Sequence, residues 1–182
     1  MKGRLLGIVL ALVLVVGLIT LRPSVRTSDA LRSRAAATSA SMREGVLSRQ
    51  TIAGLPPRPG AVRGVVMDWN LGDGIATLVA IDDGTVSLYM GESAGILSAG
   101  GRPRVADAAR RFLAEADRVR DGFGATTNGA IPGRDSVTFY VLTDTATLAA
   151  PSIGSSTSGS GAALGGLNEA AQALIAEIRK AS

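Results

Sequence analysis

The sequence predicts an α+β domain: a mostly antiparallel sheet, built as a β-meander plus a fourth strand, with two packed helices in the order βββ-α-β-α, preceded by a transmembrane helix. Three observations predict it. Apolar residues alternate with polar ones over Val65–Asn70 and again over Ser136–Thr143, the period of a half-buried strand. Two later segments carry apolar residues at steps of four and three, the period of a helix with one buried face. Near the start, Leu5–Leu21 runs seventeen residues without a charge.

Lys2 and Arg4 precede that run and Arg22 follows it. At about 1.5 Å per residue it sits at the short end of what crosses the hydrocarbon core. A cleaved signal peptide shares the basic start but needs small residues at a cleavage site. Arg22 and Pro23 occupy that place, and Ala35-Ala36-Ala37 is distant, so residues 1–23 read as an uncleaved anchor. Two arguments about orientation oppose one another. Lys2 and Arg4 resemble a signal-anchor start, which places the domain outside the cytoplasm. Arg22, Arg26, Arg32 and Arg34 outnumber them and favour a cytoplasmic domain. The extracytoplasmic orientation is the one adopted.

Residues 24–61 read as an Arg/Ala/Ser-rich tail and a Pro-rich spacer. Leu31, Ala35, Met42 and Val46 form a weak helical stripe diluted by Ser and Thr. Leu55-Pro56-Pro57-Arg58-Pro59-Gly60 breaks any helix, because proline lacks the N–H and restrains its predecessor. The tail is expected to be a solvated linker.

The domain then spans 62–182. Val62–Met90 predicts three strands, with Val65, Met67 and Trp69 on one face of the first. Leu71-Gly72-Asp73-Gly74 is turn chemistry. Ile75–Ile81 is almost wholly apolar, which places it centrally in the sheet. Asp82-Asp83-Gly84 predicts a tight hairpin with φ > 0 at both turn residues, followed by Thr85–Met90. Gly91–Gly101 reads as a loop. A helix is predicted over Val105–Phe123 with the stripe Val105, Ala109, Phe112, Ala116, Val119 and Phe123, and with an Asp107–Arg111 pair on its outer side. A loop through Asn128 and Gly133 leads to the fourth strand. Residues 154–166 form a Gly/Ser linker, and Leu167, Ala171, Leu174, Ile175 and Ile178 mark the last helix.

Composition narrows the chemistry. The 182 residues include no Cys and no His, which excludes thiol nucleophiles, Cys/His zinc sites and Ser-His-Asp triads. Residues 1–61 hold nine of the 19 Lys+Arg and two of the 15 Asp+Glu, so the remaining 121 residues are mildly acidic. The basic charge therefore belongs to the tail, and the domain has no footprint for nucleic acid.

Gly91-Glu92-Ser93-Ala94-Gly95 matches G-x-S-x-G after a strand. No histidine is present to take the Ser93 proton, and the next helix starts about ten residues later, not at the elbow. The only lysines, Lys2 and Lys180, stand at the two ends of the chain and offer no base. Gly159–Gly165 resembles a dinucleotide loop but opens no βαβ unit. Asp82 and Asp83 occupy a turn that favours Asp for backbone reasons. With Asp68 and Asp73 they are the carboxylates from which acid–base or metal chemistry would be built, though no D-x-D-x-D-G loop is present. Trp69 reads as a core anchor.

Met67-Asp68-Trp69, then Gly74–Ala80, then Asp83–Tyr89 and the glycines as far as Gly101 resemble a family of small bacterial proteins without an assigned function. The resemblance covers about residues 62–123 and more loosely the strand at Phe139. In that family the loop after the third strand is richer in glycine, which would make Ser93 dispensable. The resemblance implies a recurrent domain and transfers no activity. The meander and its flanking helices also suggest profilin- or roadblock-like scaffolds, which bind partners.

No catalytic, cofactor-binding or metal-binding residue is assigned, and no cofactor is expected. The reading is a single-pass, membrane-tethered, non-enzymatic interaction or scaffold domain. It meets lipid through Leu5–Leu21 and a protein partner through the Gly91–Gly101 loop and an edge strand. The alternatives are an enzyme using Asp68, Asp73, Asp82 or Asp83, and a domain secreted after signal-peptide cleavage.

Overall fold

The computed structural model describes residues 23–91, 95–98, 101–127, 129–154 and 162–181. The predicted anchor Leu5–Leu21 lies outside them. No helix among the described residues is long and apolar enough to cross a membrane.

Strand alternation sets the sheet. β1 (Gly64–Asn70) pairs antiparallel with β2 (Ile75–Ile81), which pairs with β3 (Val86–Met90). The meander continues into β4 (Gly95–Ser98). On its other side β1 pairs with β6 (Ser136–Leu142), which meets β7 (Thr147–Ala149); β5 (Gly124–Thr126) closes that edge. β8 (Ile153–Gly154) runs beside the start of β6. The order is β4-β3-β2-β1-β6-β7-β5, antiparallel throughout the described pairs.

Two turns show how sequence dictates the meander. Gly72 takes φ 90° between β1 and β2, and its N–H is received by the Asn70 side chain at 2.9 Å. At the next turn only Gly84 has positive φ, 93°. The Gly84 N–H reaches the Ile81 carbonyl, and the Ile81 N–H reaches Thr85. This departs from the predicted turn with two left-handed residues: one glycine at a bulge suffices.

Helix α2 (Pro103–Val119) and helix α3 (Ala162–Ala181) cover one face. α2 buries Val105, Ala108, Ala109, Phe112, Ala116 and Val119; α3 buries Leu167, Ala171, Leu174, Ile175 and Ile178. They meet Val65, Met67, Leu78, Leu88, Phe139 and Val141 of the sheet, with Trp69 partly buried at the margin. Phe112 packs edge-on to Phe139 at 6.3 Å between ring centroids.

The opposite face carries Val66, Val79, Ile81, Tyr89, Tyr140 and Leu142. It is covered by helix α1 (Pro23–Leu47), whose end brings Val46 and Leu47 onto it, followed by Ile52 and Leu55. Residues 43–55, part of the segment expected as a solvated linker, therefore form a third layer, while residues 29–34 stay exposed. α1 ends in a paired cap: the Arg49 N–H bonds the Val46 carbonyl at 2.9 Å and the Gln50 N–H bonds the Gly45 carbonyl at 3.0 Å. Arg49 takes the left-handed position, φ 65°, where glycine is usual.

Other departures are local. Part of the Gly91–Gly101 loop is strand β4, and β5, β7 and β8 were not predicted. The helical stripe read as Val105–Phe123 ends at Val119, and Arg120–Gly122 is a 3₁₀ turn. Asp107 pairs with Arg110, one residue before the predicted Arg111. α3 already begins at residue 162, inside the predicted 154–166 linker; residues 155–161 lie outside the described residues.

Candidate functional site

Pleating places Asp68 on the α1-covered face of β1, two residues beyond Val66. Its side chain is 0% exposed. One oxygen accepts the Thr77 hydroxyl of β2 at 2.7 Å. The other accepts Arg43 of α1, Nε at 2.7 Å and Nη2 at 2.6 Å. Arg43 also donates to the Gly129 carbonyl at 2.7 Å and lies 5.9 Å from the Tyr140 ring centroid. A methyl group at Gly129 would run into the end of the Leu47 side chain, which would have to shift. The Tyr140 hydroxyl donates to the Ala130 carbonyl at 2.7 Å. Burial, and then the nearby Asp68 charge, push the Tyr140 phenol up from its ordinary value, while Arg43 opposes them.

Beside this pair a cavity of about 460 Å³ opens between α1 and the sheet, with Arg43, Leu47, Thr126, Gly129, Tyr140 and Thr147 among its walls. Arg43, in its wall, is neutralised by Asp68 behind it, and Glu44 also lines the cavity. The geometry fastens α1 to the sheet; it does not present an activated group.

A second cluster ties the spacer to the far end of the sheet. Arg63 is 2% exposed and reaches Asp82 at 2.8 Å and Asp144. Those carboxylates, Asp82 first, raise the Arg63 guanidinium above its ordinary value against the opposing effect of burial. Arg58 adds its guanidinium to Asp82 at 2.9 Å and its N–H to Asp144 at 2.6 Å. Arg49 donates to the Asp144 carbonyl at 3.0 Å. Asp82 Oδ1 is buried without a partner.

The four carboxylates singled out in the sequence do not converge. Asp68 lies opposite Thr77, and Asp82 follows the end of β2 five residues later, about 16 Å along the strand. Asp83 is exposed and accepts the Thr85 N–H at 2.8 Å; Asp73 is exposed in the β1–β2 turn. Among the described residues no three His, Cys, Asp or Glu side chains stand close enough to hold a metal ion. Ser93 and Gly159–Gly161 lie outside the described residues, and Ala162–Gly165 begins α3. Lys180 pairs with Glu177 at 2.7 Å.

Arg43, Thr77, Tyr140, Arg63 and Asp144 were not singled out in the sequence. One signal pointed to them. Ile75–Ile81 is apolar at odd and even positions alike, which demands cover on both faces, so a polar residue at position 68 needs a buried partner. Comparison with known proteins gives no match: no family model fits the chain, and no curated protein or solved structure is similar enough to carry an argument.

Proposed function

We propose that the chain is a membrane-tethered, non-enzymatic interaction or scaffold domain, held at lipid by Leu5–Leu21, with its body outside the cytoplasm. The observation that carries this reading is the fastening of α1. The helix, described from Pro23, is bolted to β1 by Arg43 and Asp68. The segment next to the tether is thereby part of the fold. The inner carboxylates support the non-enzymatic half: Asp68, Asp82 and Asp144 are each held by arginine and lie in two separate clusters.

Alkaline carbonate extraction tests the tether: the full chain stays with the membrane pellet. Recovery of a soluble polypeptide lacking about the first two dozen residues refutes it and favours the secreted alternative. A reporter fused after Ser182 tests orientation, and activity confined to the cytoplasm reverses it. Turnover of a substrate by the purified chain, abolished by Asp68→Asn or Asp82→Asn, would return the carboxylate-enzyme alternative.

A further inference from the structure

Residues 43–58, from the end of α1 through the Pro-rich spacer, cross the second face of the sheet without joining its ladder. Among the described residues, the N–H groups of Ser48, Arg49, Gln50, Ile52, Ala53 and Leu55 all donate backwards, to carbonyls between Glu44 and Ile52. The first main-chain bond to the sheet is made by Arg63, whose N–H meets the Leu142 carbonyl at 2.8 Å. Side chains hold the segment down instead. Arg43 reaches Asp68 and the Gly129 carbonyl, Arg49 reaches the Asp144 carbonyl, and Arg58 reaches Asp82. From the sheet side, the Thr147 hydroxyl donates to the Leu47 carbonyl at 2.9 Å, and the Asp144 carboxylate accepts the Arg58 N–H.

The apolar grip of this segment is small. α2 buries six residues in the first face and α3 buries five. The segment buries two, Val46 and Ile52, with Leu47 and Leu55 partly covered. Upstream of it, Arg32 borders a hollow of about 480 Å³ with Leu71, Gly74 and Met90, so the helix is not packed down there. The ionic grip is releasable too. Removing one member of the Arg43–Asp68 pair strands the other, but lifting the segment returns both to water, and a buried pair gains little over its hydrated members. A pivot is in place at the far end. Gly60 takes φ 75°, nothing stands within 4 Å of a Cβ there, and Arg120 holds its carbonyl to the body.

We propose that residues 43–58 form a strap that opens as one unit about Gly60 and bares the second face of the sheet, while the strands, α2 and α3 stay folded. A segment with few buried apolar contacts and no shared ladder opens at lower free energy than the core. Arg43, Arg49 and Arg58 are its latches. With them closed, Val66, Val79, Ile81, Tyr140 and Leu142 are sealed from water. The inference does not rest on the tether, since the latches and the bed both lie downstream of it.

The chain has no cysteine, so a single introduced thiol reads each face. Val65→Cys and Val141→Cys lie under α2 and α3, and Val66→Cys and Val79→Cys lie under the strap; all four valines are at most 1% exposed. In the full chain without denaturant, a thiol reagent labels positions 66 and 79 about tenfold faster than positions 65 and 141. Adding Arg43→Leu speeds labelling at 66 and 79 by about tenfold again, because the stranded Asp68 is hydrated only when the strap is open. Equal rates on the two faces, or rates at 66 and 79 that Arg43→Leu leaves alone, overturn the proposal. Hydrogen exchange of the unsubstituted chain decides it without any variant. The hydrogen-bonded amides of residues 48–55 exchange with one shared urea slope, shallower than that of β1, β2 and α3. A slope equal to that of the core means that the segment leaves only on global unfolding, and no slope at all means piecemeal fraying. Either result refutes the strap.

Discussion

Asp68 depends for its charged partner on an arginine twenty-five residues away on a different element. Removing one partner of a buried pair strands the other, whereas replacing both is often near neutral. Arg43→Leu is therefore expected to cost about 3–5 kcal/mol in urea unfolding. Asp68→Asn added to it recovers much of the loss, because the amide oxygen still accepts the Thr77 hydroxyl. Arg49 separates backbone from side chain. Arg49→Ala and Arg49→Gly both lose the bond to Asp144, but only glycine takes the left-handed position without penalty. The alanine variant is expected to be less stable than the glycine variant by about 1 kcal/mol. At Tyr140 the sign follows from the raised folded-state value. The neutral phenol contributes stability that is fully present below the ordinary phenol range, about 10, and is lost as pH rises through the folded value. Tyr140→Phe should flatten that alkaline decline while costing about 1 kcal/mol at neutral pH through the orphaned Ala130 carbonyl. Denaturant unfolding against pH reads both.

Elements with a strong period were legible, and those without one were not. β2 runs from Ile75 to Ile81 as read, and the stripes of α2 and α3 are buried almost residue for residue, because apolar periodicity is itself the record of a buried face. β5, β7 and β8 have two or three residues each, too few to show a period. α1 failed for a different reason. It docks by its end alone, through Arg43, Val46 and Leu47, while Leu31 and Met42, two of the apolar residues that marked its stripe, are exposed. It packs on a face whose own polar residues, Asp68, Thr77 and Thr138, are buried. The sheet announced a second cover through β2, but the helix did not announce itself by hydrophobicity. Glycines also divide by environment. At Gly64 a Cβ would stand 2.7 Å from Ile81 Cδ1 and 3.1 Å from Leu142 Cδ1, both fully buried, whereas nothing lies within 4 Å at Gly54. Gly64→Ala is expected to cost about 1–3 kcal/mol and Gly54→Ala close to nothing, as thermal unfolding would show.

At the scale of the molecule, the chain is three layers deep, and the outermost comes from the segment that composition assigns to a tail. A fragment of residues 60–182, bounded where the sequence marks a domain, loses Arg43, Val46 and Ile52 together. It leaves Val66, Val79, Ile81 and Leu142 uncovered and Asp68 without its cation. That fragment is expected to bind a hydrophobic dye and to unfold at lower urea than residues 23–182. Equal stability of the two fragments would show that the third layer contributes little.

The order in which the chain leaves the ribosome gives the second face one more consequence. α1 is finished at residue 47, but the surface it rests on includes Tyr140 and Leu142 of β6. At about 5–20 residues per second, roughly 5–20 s of translation separate the two. During that interval the newly made helix lacks the β6 part of its bed. Val46 and Leu47 are therefore made early and covered late, and a chain stalled before β6 carries them without the side chains of Tyr140 and Leu142.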